Sequence, residues 1–241
     1  MKRLLIETVE GERAFLNDNE VHHLVKVLRA HEGELFDGVD GHGKRLHCAL
    51  RRDSDGWYGE VLSTWGKSDE SPLKVTLGQA LIKKDKFEWV IQKTVELGVT
   101  RIVPIVSERT EIRLKDQREE RKMRRWSRIL EEAVKQSGRS LIPELSSPIL
   151  LGDLLKREAN LLCIVLDEEG GASLIELARE HANLDSCMLL VGPEGGWGQR
   201  DRELFAAHST VSLHLGPRIL RTETASVAAL SLLQYEFGDL G

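Results

Sequence analysis

Several things are missing from this 241-residue chain, and each absence removes a class of function. No apolar run approaches the eighteen or so residues that a membrane-crossing helix needs. The amino terminus opens on Lys2 and Arg3 but holds only the apolar trio Leu4 to Ile6, too short for a signal-peptide core, so a cytoplasmic protein is expected. There are only three cysteines, Cys48, Cys163 and Cys187, far apart and without a Cys-x-x-Cys pair. They read as small buried hydrophobes rather than as a disulfide framework or a zinc site. His22-His23 has no second pair at ligand spacing, so no metal is expected. Excess positive charge is also missing: 34 Lys and Arg face 39 Asp and Glu, for a net charge of −5. A nucleic-acid partner would therefore have to be met by a local patch. One such patch runs over 109–128, with nine basic and four acidic residues, although a charge run alone reads more simply as a solvated helix face. Neither a dinucleotide fingerprint, nor a phosphate loop, nor a Gly-x-Ser-x-Gly nucleophile motif occurs.

What remains is a chain of ordinary globular composition, 41% hydrophobic and 30% charged. Residues 1–70 read as a small β-barrel, with short runs such as RLLIE, ELFDG, RLHCAL and WYGEVLS between turn residues. One helix interrupts them over 19–29, with Val21, Leu24, Val25 and Leu28 on one face and His22, Lys26 and Arg29 on the other. The polar stretch 66–72 reads as a linker. Beyond it the rhythm changes. LKVTLGQAL reads as a strand with Leu73, Val75 and Leu77 alternating. Asp85 is placed to cap the next helix with Glu88 answering, Phe87, Val90, Ile91 and Thr94 form its inner face, and Gly98 ends it. RIVPIVS, LLCIVL, CMLLVG and STVSLHLG are further strands separated by helices, the first of them a long charged helix ending near Ser137. Strands alternating with helices over 71–241 imply an α/β domain with a mostly parallel sheet.

Two loops carry the chemistry. Val191-Gly192-Pro193-Glu194-Gly195-Gly196-Trp197 directly follows a strand, where glycines let backbone approach a ligand. On backbone grounds alone it also reads as a plain turn. Leu215-Gly216-Pro217-Arg218-Ile219-Leu220-Arg221-Thr222-Glu223-Thr224-Ala225 joins a strand to an Ala- and Leu-rich helix. Thr222 is placed to cap that helix, and Glu223 to favour its dipole. Ile219 and Leu220 are adjacent apolar side chains in a loop, which need a flat apolar ligand or a partner subunit to cover them.

GPEGG after a strand, followed by LGPRILRTETA, resembles the cofactor-binding end of the SPOUT superfamily, and within it the bacterial 16S ribosomal RNA N3-uridine methyltransferase family. HHLVKVLR, KKDKFEWVIQKTVELGV, PIVSERT, EEAVKQSGR, IPEL and the terminal GDLG extend the resemblance over nearly the whole chain. It differs in being a few residues shorter after Arg29, and in having Trp197-Gly198 where Phe or Leu followed by Ser is more usual. The resemblance implies an RNA-binding PUA-like barrel over 1–70 and a trefoil-knotted SPOUT domain over 71–241, working as a homodimer on 16S rRNA of the small ribosomal subunit. It implies S-adenosyl-L-methionine as cofactor, held by Leu166, Gly192, Pro193, Glu194, Gly195, Gly196, Leu215, Gly216, Ile219, Leu220, Thr224 and Ala225. The implied RNA contacts are His23, Lys26, Arg29, Lys86, Arg109, Arg124, Arg125 and Arg139.

Methylation of N3 requires that a weakly acidic imide lose its proton. Glu194 and Glu223 are the candidate bases, and Arg221 is the candidate stabiliser of the anion. Two other classes are set beside this one. A non-catalytic RNA-binding protein would bind no S-adenosylmethionine, and a phosphate-handling enzyme would bind nucleotides without transferring methyl.

Overall fold

The structure is a computed structural model describing residues 2–65, 70–111 and 116–241. Residues 66–69 of the expected linker lie outside the described residues. The chain divides into two compact units, the first running up to Glu70 and also taking in Glu131–Ile142, the second formed by Ser71–Leu130 and Pro143–Gly241.

In the first unit, β1 (Lys2–Leu5), β2 (Thr8–Glu10), β3 (Arg13–Phe15), β4 (Leu35–Val39), β5 (Arg45–Arg52) and β6 (Trp57–Trp65) form one sheet in the order β1-β4-β5-β6-β3-β2. The two end strands, β1 and β2, are consecutive and separated by only Ile6 and Glu7. Ile6 N–H donates to Val39 O on one end strand's partner, and Glu7 N–H to Phe15 O on the other's. The sheet therefore curls until its ends share one stretch of chain. Leu4, Ile6, Phe36, Leu46, Cys48 and Leu50 fill its interior. Burial pushes the Cys48 thiol up to about 11, as befits a small hydrophobe.

The helix expected over 19–29 is shorter and partly of another kind. After α1 (Asp18–His22), capped by the Asn17 side chain, residues His23–Val27 form a π-helical turn in which Leu28 N–H reaches back to His23 O. The wider turn breaks the 3.6-residue register, so Leu24 is buried while Leu28 is left 39% exposed.

The segment Glu131–Ile142 is bound into this unit by polar contacts. Arg3 and Arg45 donate to the carbonyls of Gln136 and Gly138, and the buried Lys135 pairs with Glu20 at 2.6 Å. Arg139 is a correction to the expected RNA contacts. Its side chain is 7% exposed and grips Glu70 through two nitrogens at 2.6 and 2.9 Å, while Glu70 also accepts from the N–H groups of Ser140 and Leu141. A guanidinium so engaged belongs to the fold.

In the second unit, β7 (Lys74–Ala80), β8 (Arg101–Val106), β9 (Glu144–Leu145), β10 (Ile149–Leu150), β11 (Leu162–Leu166), β12 (Ser186–Val191) and β13 (Val211–Leu213) form a second sheet. Its order is β10-β8-β7-β12-β11-β13, with β9 also on β8, and every pairing is parallel. The expected α/β class is observed. The alternation expected along β7 disappears beyond Thr76, because a central parallel strand is covered on both faces. On one face, α4 (Leu151–Arg157) and α6 (Gln199–Ala207) bury Leu154 and Phe205 against Met188 and Leu190. The other face takes α7 (Thr222–Phe237), which packs on β12 and against α2 (Lys84–Glu96).

Phe87, Val90, Ile91 and Thr94 of α2 are all fully buried, and Gly98 at φ +84° closes the helix with Val99 N–H donating to Thr94 O. The start of α2 differs from expectation. Its cap is Lys83 without a side-chain bond, and Glu88 instead binds Arg125, which emerges from α3 (Asp116–Ser137). An ion pair to a neighbouring helix has outcompeted the local cap.

Arg139→Ala leaves a half-buried Glu70 with only the N–H groups of Ser140 and Leu141 to balance its charge, and is expected to cost about 3 kcal/mol. Urea unfolding followed by tryptophan fluorescence checks this. A loss within about 0.5 kcal/mol, the range of an ordinary surface substitution, would return Arg139 to the surface.

Candidate functional site

Because the sheet is parallel, β11, β12 and β13 deliver their carboxyl ends to one edge, where ligands bind in open α/β sheets. The loops leaving these strands enclose a cavity of about 620 Å³. Of the sequence-chosen residues, Leu166, Gly192, Pro193, Glu194, Gly196, Leu215, Gly216, Ile219, Leu220, Arg221 and Ala225 all line it. Lys86, expected among the RNA contacts, lines it too. Gly195, Glu223 and Thr224 do not. Glu223 lies behind the wall, its carboxylate 3.4 Å from the Lys86 ammonium, and Thr224 faces outward.

The loops are held by a few buried bonds. Thr222 does not cap α7, whose cap position is Arg221. Its hydroxyl donates instead to Gly192 O at 2.6 Å and accepts from the Gln79 amide at 3.2 Å. Ser226 donates to the Gln79 side-chain oxygen, so the middle of the sheet, the β12 loop and the start of α7 are one polar unit. The Trp197 indole N–H donates to Leu166 O at 2.8 Å, while its ring meets Phe205 edge-on at 4.9 Å. Arg109, another expected RNA contact, donates to Gly195 O at 2.7 Å. Gly198, which follows Trp197, lies where a Cβ would collide with the Glu108 carboxylate, so a serine here would displace that side chain. Gly196 (φ +67°) and Gly216 (φ +86°) adopt left-handed backbone that glycine alone takes without cost.

The charge at the rim is arranged around Lys86. Its ammonium hydrogen-bonds Glu194 at 3.1 Å and pairs with Glu223. The bond to Glu194 above all, with the charge of Glu223, raises the lysine above its ordinary range, against desolvation. Arg221 is exposed at the cavity wall and forms no ion pair among the described residues. The remaining expected RNA contacts are not among the residues that line the cavity. His23, Lys26 and Arg29 are exposed in the first unit, and Arg124 and Arg125 are exposed on α3, paired with Glu120 and Glu88. Among the described residues no group of three or more His, Cys, Asp or Glu is placed to hold a metal ion, and no helix is long and apolar enough to cross a membrane.

Val191, Trp197, Pro217, Arg218 and Thr222 also line the cavity; they stood in the two chosen loops but not among the chosen site residues, whereas Asp167, Glu168 and Leu213 were missed altogether. The signal for Asp167 and Glu168 was present. LLCIVL is followed by Asp167-Glu168 as CMLLV is followed by Gly192-Pro193, and in a parallel sheet both follow the same end of a strand.

A parallel sheet whose glycine-bearing loops close a cavity at its carboxyl edge is the setting of an RNA methyltransferase domain, and residues 69–234 match the family of that description. The ribosomal RNA small subunit methyltransferase E of Bacillus subtilis is 32% identical over 98% of this chain and 97% of its own length, and that of Aquifex aeolicus 33% identical over 94% and 96%. The Neisseria gonorrhoeae protein of the same name, solved bound to S-adenosylmethionine, superposes with a TM-score of 0.89 at 30% identity over the full length of both chains. A methyltransferase structure from Legionella pneumophila, also with bound S-adenosylmethionine, gives 0.90 at 33% identity over 99% of this chain and 98% of that one. The chain belongs to the ribosomal RNA small subunit methyltransferase E family.

Thr222→Val removes the bond to Gly192 O and leaves one N–H of the Gln79 amide, which otherwise donates to Ala80 O, without a partner in a dry interior. It is expected to lower stability by about 1–3 kcal/mol, whereas Thr222→Ser keeps most of it. Equal unfolding midpoints for the two variants would mean that the hydroxyl does not organise the loops.

Proposed function

We propose that this chain is an S-adenosylmethionine-dependent methyltransferase acting on N3 of a uridine in 16S rRNA of the small ribosomal subunit. In this reading it works in the cytoplasm as a homodimer, with a PUA-like first unit that meets RNA and a SPOUT-type knotted second unit. The observation that carries the reading is the cavity itself, which combines an apolar wall with charge of both signs at its rim. Its volume falls within the ordinary range for small-molecule sites. Leu166, Leu215, Ile219 and Leu220 offer apolar surface for an adenine ring, and Asp167 and Glu168 place negative charge that suits a ligand bearing a sulfonium and an ammonium group. Ile219, 82% exposed at the rim, suits cover by bound ligand or by a second copy of the chain.

When bound, S-adenosylmethionine supplies a methyl group already activated on sulfur. The protein's task is then positioning and charge. The loops hold the reactants together and exclude water. N3 of uracil becomes a good nucleophile only as its anion. Glu194 and Glu223 remain the candidates to take the proton, and both are already engaged with one ammonium. Stabilisation of the anion by Arg221 is the role that the geometry favours. Lys26 and Arg29 on the first unit, with Arg124 on α3, supply exposed cations for phosphate.

The reading is tested by incubating the protein with labelled S-adenosylmethionine and small subunits from cells lacking it, then mapping the methylated nucleotide. One N3-methyluridine is expected. Methyl on another base, or calorimetry showing no binding of S-adenosylmethionine, would overturn the reading. Arg221→Ala is expected to lower the single-turnover rate about a hundredfold while cofactor affinity holds. A loss of cofactor binding in step with rate would assign Arg221 to the loop's structure instead. Neutralising Lys26 or Arg29 should flatten the slope of log RNA affinity against log salt by somewhat under one unit each. An unchanged slope would remove them from the RNA face.

A further inference from the structure

We propose that Lys86 touches the target uracil and holds the negative charge that appears on it when N3 loses its proton. The inference rests on the uridine-N3 reading above and deepens it by naming the residue that handles the base.

The geometry begins with α2, whose first turn points Lys86 into the cavity wall. The ammonium is shared by carboxylates from two other segments, Glu194 in the loop after β12 and Glu223 in the first turn of α7. The sharing is unequal. Glu194 accepts a hydrogen bond at 3.1 Å, whereas Glu223 Oε2, 3.4 Å away, is buried and accepts none. An ammonium carries three donors, and at this site it spends one on Glu194. It therefore faces the cavity with donors in hand, held on two sides by negative charge that keeps it protonated.

The other charged groups of the wall are Asp167, Glu168, Arg218 and Arg221. The uracil anion spreads its charge over N3 and the two carbonyl oxygens flanking it. Of the three cations that line the cavity, Lys86 and Arg221 are offered to the two carbonyls, and fixed cations in a partly desolvated cavity stabilise such an anion far better than water does. The N3 proton passes to water. The N3 lone pair forms the bond to the methyl carbon, and the electron pair of the breaking carbon–sulfur bond stays on sulfur, turning the sulfonium into a neutral thioether. Lys86 keeps its proton throughout, and its attraction for the base falls once the methylated uracil is neutral. Glu194 and Glu223 are on this account positioning residues that aim Lys86.

The test is the pH profile of single-turnover methylation on unmodified small subunits, for wild type, Lys86→Met, Lys86→Arg and Glu194→Gln. In wild type the rate rises with pH and levels off where the bound uracil is fully ionised. Lys86→Met is expected to move that midpoint up by about one unit or more, so that the rate falls about tenfold or more at neutral pH and converges on wild type at high pH. Lys86→Arg keeps the charge and should keep the midpoint. Calorimetric affinity for S-adenosylmethionine should change far less than the neutral-pH rate. Glu194→Gln removes a carboxylate that aims the ammonium but leaves the ammonium itself, and should move the midpoint less than Lys86→Met does. An unmoved midpoint in Lys86→Met, or a midpoint that Lys86→Arg moves as far as Lys86→Met does, would make Lys86 a structural clasp and overturn the proposal. A wild type that methylates small subunits elsewhere than a uridine N3 would instead defeat the reading beneath it.

Discussion

The second unit depends on a polar bond made where the sheet is driest. Gln79 and Ser226 are fully buried and Thr222 nearly so, and together they tie β7, α7 and the carbonyl of Gly192 into one hydrogen-bonded unit. A buried amide without partners costs several kcal/mol, so these groups have essentially one arrangement open to them. That arrangement sets where α7 begins relative to the end of β12. It thereby sets the distance between the two loops that face each other across the cavity. Trp197 does the same for the third loop, pinning the end of β11 to the loop after β12 through Leu166 O. The cavity is thus defined by bonds lying beneath it, which leaves the rim side chains free to act on a ligand.

At the rim the same economy governs charge. The protein is net negative and this cavity carries several carboxylates, yet its one lysine is placed between two of them. Such pairing at a partly exposed site adds little to stability. Its consequence is chemical. The ammonium is held in its charged form against desolvation. A site built for proton abstraction would isolate a carboxylate in an apolar pocket to raise its affinity for protons. This site does the reverse, which argues that charge stabilisation is what the wall supplies.

Much of this was legible in the sequence because the relevant signals are local. Leu190-Val191-Gly192 and Leu213 to Gly216 announce strand ends followed by glycine, and a parallel sheet carries such ends to one edge. The inner face of α2 follows from a 3.6-residue period that nothing in the fold disturbs. What was not legible is where a local preference loses to a distant partner. Asp85 and Glu88 spell a capping box, but Glu88 finds Arg125. Thr222 spells a cap, but Gly192 O and Gln79 lie within reach. Leu28 follows the helical period, yet a π turn beginning at His23 moves it off the core. Arg139 looks like a surface cation because nothing near it in sequence reveals Glu70, 69 positions away.

These exceptions share a cause with the site. Capping, amphipathic period and charge runs are rules about neighbours within a few positions, and they hold where tertiary structure offers nothing stronger. They fail where a distant partner is stronger: at Thr222 an unpaired group in a dry interior outweighs any cap, and at Glu88 an ion pair to an exposed arginine takes its place. Thr222 fails as a cap because it serves the loop that bears Gly192, and Glu88 fails as one because it fastens α3 beside the helix that bears Lys86. The departures from local rules in this domain therefore fall on residues that hold the cavity's walls in place, and a sequence reading that collects its own failed caps is also collecting supports of the site.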